Sequence, residues 1–82
     1  MADDPASTGI DRITIIPDVC NGKPTIRGLR ITVATILGYL ASGDSVQDIL
    51  DEFSFLEPED ISACLAFASQ IMERKYAVHQ VR

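Results

Sequence analysis

Between Val33 and Phe53 one apolar pattern occurs twice, and only a Gly43-Asp44 linker and a capping serine separate the copies. Val33, Ile36, Leu37 and Leu40 stand at i, i+3, i+4 and i+7, and so do Val46, Ile49, Leu50 and Phe53. On a helix this spacing gathers each set onto one face, so both faces seek the same core. Thr32 and Ser45 stand where N-caps are needed, and Asp48 follows Ser45 as a weak version of the capping box. Helix 1 is expected over Val33–Ser42 with Gly43 at its C-terminal turn, and helix 2 follows Ser45. The short linker forces a sharp turn, which is helix-turn-helix geometry.

The flanks add three elements. Ile13-Thr14-Ile15-Ile16 is β-branched throughout and stops at Pro17, a short strand. Asn21-Gly22 suits a turn with positive φ, and Thr25-Ile26-Arg27 reads as a second strand closed by Gly28. Strands this short need another sheet edge, which a second subunit would supply. Helix 3 opens at Pro58 with Glu59 and Asp60 in its first turn. Its expected apolar stripe is Ile61, Cys64, Leu65, Ala68, Ile71 and Met72, widened by Phe67, with Ser62, Ala63, Ala66, Ser69, Gln70 and Glu73 outward. Residues 1–9 read as a disordered tail, 10–76 as one β-β-α-α-α domain, and 77–82 as a C-terminal tail able to fold on a partner.

At 82 residues the chain allows one domain, and 46% hydrophobic residues allow a core. Such a core rarely yields more than about 3–5 kcal/mol, so metal, disulfides or a second subunit usually assist. Cys20 and Cys64 form no CxxC pair and the only histidine is His79, too few ligands for zinc. No secretory signal favours a Cys20–Cys64 disulfide, and both cysteines read as structural. No stretch approaches the roughly 18 apolar residues of a membrane span. The expectation is a cytoplasmic homodimer. No catalytic constellation assembles from one His and two scattered Cys, so neither an enzyme nor a cofactor nor a small-molecule substrate is expected.

Net charge is −5, unevenly placed. Arg12, Lys23, Arg27 and Arg30 outweigh Asp11 and Asp18 at the front, while Asp44, Asp48, Asp51, Glu52, Glu57, Glu59 and Asp60 meet no basic residue. Two readings of each block compete. The cations on a dimeric β-ribbon could enter a DNA groove, or Arg27 and Arg30 could pair with acidic helix 2. The acids are either a solvated face or a phosphate-like surface for a basic cleft. Helix 3 is a poor groove reader, because its first turn is acidic and no Lys or Arg precedes Arg74. Its Phe67, Ile71 and Met72 are better placed to meet another chain, as are Ile13 and Ile15 on the first strand.

The segment from Asn21 to Val33, NGKPTIRGLRITV, resembles the signature of the domain of unknown function 433 family. The resemblance continues through Ile36, Leu37, Gly43, Ser45, Ile49 and Leu50 to the Pro58-Glu59-Asp60-Ile61 helix start, covering about Ile10 to Tyr76. Leu29 departs from the family's usual Thr, and Glu57 from a Thr that often caps helix 3. The resemblance implies a mainly α fold: a short N-terminal β segment and a three-helix, homeodomain-like core, usually dimeric. It also implies kinship with bacterial antitoxins of type II toxin–antitoxin modules, which neutralise PIN-like ribonucleases. Binding of operator DNA as a transcriptional regulator is the alternative.

Overall fold

The structure, a computed structural model, describes residues 10–76. The two expected tails, residues 1–9 and 77–82, lie outside the described residues. The fold is mainly α, with a short antiparallel β segment at its front. Strands β1 (Ile13–Ile15) and β2 (Pro24–Ile26) are followed by helices α1 (Val33–Ala41), α2 (Val46–Glu52) and α3 (Pro58–Tyr76).

In the register Ile13 faces Ile26, Thr14 faces Thr25, and Ile15 faces Pro24. The Thr14 and Thr25 hydroxyls lie 3.0 Å apart, which satisfies the fully buried Thr25 without water. Between the strands, Cys20, Asn21 and Gly22 all take positive φ. Asn and Gly tolerate that region, but Cys20 enters it against its Cβ. After β2 the chain reverses at Arg27-Gly28, both with positive φ, and the Leu29 N–H donates to Ile26 O at 2.8 Å. These are the marks of a tight hairpin turn. The returning segment bridges back at Thr25–Thr32, so β2 is flanked on both sides.

Thr32 caps α1 by accepting from the Thr35 N–H. Ser45 and Asp48 form a complete capping box at the start of α2, stronger than the weak version expected from sequence. α1 closes one residue before the expected boundary, and Gly43, at φ +99°, turns the chain into α2.

One core joins all elements: Ile13 and Ile26 from the strands, Ile36 from α1, Ile49 from α2, and Ile61 and Cys64 from α3. Both cysteines are free thiols. Burial, helped by the charge of Asp60, pushes the Cys64 thiol up to about 11, so it stays protonated and inert. The face of α3 differs from the expected stripe. Ala63 turns inward at 7% exposure, while Leu65 is 51% exposed. The reason is Asp60, which is buried and fixes the rotation of the helix.

Candidate functional site

The register that pairs Ile13 with Ile26 also sets Arg12 opposite Arg27, whose N–H donates to Arg12 O at 2.8 Å. Two like charges directly across a strand pair repel, so the hairpin end needs an anion. Asp60 supplies it. Its side chain is 0% exposed and accepts from Arg12 Nη1 at 2.9 Å, Arg27 Nε at 3.0 Å and Arg27 Nη2 at 2.8 Å. The Glu57 N–H donates to Asp60 Oδ2 at 2.8 Å, closing the backbone half of a capping box at the start of α3. Glu57 therefore does not cap with its own side chain; that carboxylate takes Arg12 Nη1 at 2.7 Å. Arg27 Nη2 also donates to Phe55 O at 2.9 Å, tying the loop before α3 to the hairpin.

This cluster sets the local electrostatics. Burial alone would raise the Asp60 carboxyl, but hydrogen bonds from Arg27, the Glu57 backbone and Arg12 hold it at about 2. Both guanidiniums are held even more firmly in their charged form, Arg12 by its hydrogen bonds to the Glu57 and Asp60 carboxylates and Arg27 by those to Asp60. Arg27 takes a left-handed backbone, costly for a residue with a Cβ, and its side chain is fixed by three hydrogen bonds. The cluster is a clamp joining the β segment to α3.

The four cations singled out in the sequence thus separate. Arg12 and Arg27 are neutralised inside the chain, whereas Lys23 and Arg30 are exposed and have no ion-pair partner among the described residues. The pairing of Arg27 and Arg30 with α2 is corrected: Arg27 is held by the first turn of α3, and Arg30 by no described acid. The five residues expected at an interface also divide. Ile13 and Phe67 are spent in the chain's own core, and Ile15 is half-buried. Ile71 and Met72 remain exposed. They border an apolar groove of about 280 Å³ between α1 and α3, lined also by Val33, Leu37, Phe67 and Ala68.

The acidic block divides in the same manner. Asp60 and Glu57 are internal partners, and Asp48 is occupied in capping α2. Asp51, Glu52 and Glu59 face solvent along α2 and the start of α3. Phe55, 53% exposed, stands between them in sequence and stacks edge-on to Phe53 at 6.1 Å. Sequence reasoning missed both Asp60 as the clamp and Phe55 as an exposed anchor. Only the Arg12–Arg27 juxtaposition, had the register been worked out, would have announced the first. No helix among the described residues is long and apolar enough to cross a membrane.

The profile of the family described as "Protein of unknown function (DUF433)" matches residues 13–68. An uncharacterised protein of Sinorhizobium fredii, y4eO, is 32% identical over 56 residues, which are 68% of this chain and 25% of that protein. This chain thus spans about a quarter of that relative's length. The crystal structure of a DUF433 member protein from Anabaena variabilis superposes with a TM-score of 0.71 at 35% identity, covering 77% of this chain and 62% of that one.

Proposed function

The chain belongs to the DUF433 family, and from that premise we propose that it is a non-enzymatic binding domain of antitoxin type, neutralising a PIN-like ribonuclease. The observation that carries this reading is the acidic run of α2 and the α3 start, where Asp51, Glu52 and Glu59 are exposed on either side of the exposed Phe55 in sequence. A ribonuclease cleft is basic because it holds phosphates, and exposed carboxylates near an aromatic anchor in sequence suit such a cleft. The fate of the front cations supports the same choice. With Arg12 and Arg27 neutralised by Asp60 and Glu57, the β segment keeps only Lys23 and Arg30 for phosphates. Even doubled in a dimer, four cations fall below the roughly 6–10 phosphate contacts of salt-dependent DNA binders.

The test is affinity purification of the tagged chain from its host, followed by ribonuclease assays on what accompanies it. The expected result is a PIN-like protein in about equal amount, inhibited by the chain. Asp51→Lys, Glu52→Lys and Glu59→Lys together should weaken inhibition by roughly 100-fold or more while leaving helicity intact. Recovery of DNA instead, with binding lost steeply as salt rises, would replace this reading by the operator-binding regulator.

A further inference from the structure

We infer that the ring cluster of Tyr39, Phe53 and Phe55 docks an arginine-bearing segment of a protein partner, with one guanidinium on Phe55 and further arginines on the carboxylates of α2. The inference rests on the acidic run being the contact with a basic partner, and it names the chemistry which that partner must bring.

Three rings from three places in the chain meet on one surface. Tyr39 belongs to α1, Phe53 caps the end of α2, and Phe55 stands in the loop before α3. Tyr39 and Phe53 meet edge-on with centroids 5.6 Å apart, Phe53 and Phe55 at 6.1 Å. The first two are half-buried against the core, whereas Phe55 is 53% exposed.

Phe55 is nevertheless held in place. The Leu56 N–H donates to Phe53 O at 2.9 Å, closing a turn around Ser54 and Phe55, and the Leu56 side chain is buried. Arg27 Nη2 donates to Phe55 O at 2.9 Å, so the clamp on Asp60 also fixes the backbone that presents this ring. A large apolar ring positioned before binding loses little freedom when a partner covers it, which suits an interface anchor. Apolar surface continues along α2, where Val46, Leu50 and Phe53 stand at i, i+4 and i+7 and Val46 is 41% exposed.

Charge selects the occupant. The Asp44 N–H donates to Tyr39 O at 3.1 Å, Asp51 lies on α2, and Glu52 directly precedes Phe53. None of the three acids has an ion-pair partner among the described residues. A second copy of net charge −5, a nucleic acid and an anionic membrane are all repelled from such a surface, and a cationic protein segment is attracted. Of the two cationic side chains, arginine fits both parts of it. Its planar guanidinium stacks on an aromatic ring and grips a carboxylate with two parallel N–H bonds, while the lysine ammonium is a compact, strongly hydrated charge.

The test is a nuclear magnetic resonance titration of the full chain with a short amphipathic peptide of leucine and arginine, beside the same peptide carrying lysine for arginine. The arginine peptide is expected to bind roughly fivefold tighter or more, with its arginine δ protons shifted upfield by the ring. Phe55→Ala should remove both the preference and the shift, and Phe55→Trp, a better ring for cations, should keep them. Both substitutions are at an exposed position, and circular dichroism should show unchanged helicity. Equal affinity for the two peptides, or no binding of either, overturns the inference, as does a Phe55→Ala chain that still prefers arginine. A ribonuclease inhibited equally by the parent and Phe55→Ala chains removes this inference and leaves the antitoxin reading standing. An arginine preference carried by Phe55, with no ribonuclease recovered from the host, supports the inference and removes that reading.

Discussion

The two ends of α3 follow opposite rules. At its start a buried carboxylate holds two arginines and a backbone N–H, and no buried side-chain polar atom among the described residues lacks a partner. At its far end large apolar side chains stand in solvent beside a groove. The first end is specific because charge in a low-dielectric site must be matched in place. The second is general, since apolar surface is indifferent to which apolar surface covers it. The difference shows where this small domain spends its polar contacts: on fixing its own β segment, leaving the α1–α3 face uncommitted.

Breaking the matched end should have the largest effect. Asp60→Ala leaves Arg27 without an anion and Arg12 with Glu57 alone, and should cost about 3–5 kcal/mol in urea unfolding, or prevent folding. An unfolding midpoint within error of the parent chain would mean that the clamp is not structural. Acid should weaken the same end. The Asp60 carboxyl is held at about 2, below the unfolded value near 4, so its stabilisation is fully present above about pH 4. It is lost as pH falls from about 4 through 2, a change of about 2 kcal/mol from this group. Asp60→Asn should flatten that part of the pH profile, and an equally steep profile would assign the acid loss elsewhere.

Smaller effects sharpen the contrast. Gly43→Ala places a Cβ at φ +99° between α1 and α2 and should cost about 1–2 kcal/mol, read as a lower melting temperature. Met72→Ser, at the open end, should change the stability of the chain by less than about 0.5 kcal/mol. A large loss there would mean that Met72 packs within its own chain.

Much of this was legible in the sequence. Thr32 and Ser45 cap their helices as expected, Asn21-Gly22 makes the turn, and both strands form within a residue or two of their expected places. These features rest on neighbours a few positions apart, where periodicity and caps speak directly. Less legible was the rotation of α3. Ala63 and Leu65 both fit an apolar stripe, and the sequence placed Leu65 inside. The register of two strands and one buried acid decided the other way.

The sequence by itself determined the elements, their order and the shared core, because each is set by local spacing and capping. It also determined the family, through the segment from Asn21 onward. Tertiary structure alone decided which charges remain for a partner. Arg12 and Asp60 are 48 positions apart, and Arg27 and Asp60 are 33 apart. Whether such groups neutralise one another depends on the fold that brings them within 3 Å, because charges in water scarcely interact at the distances an unfolded chain keeps between them.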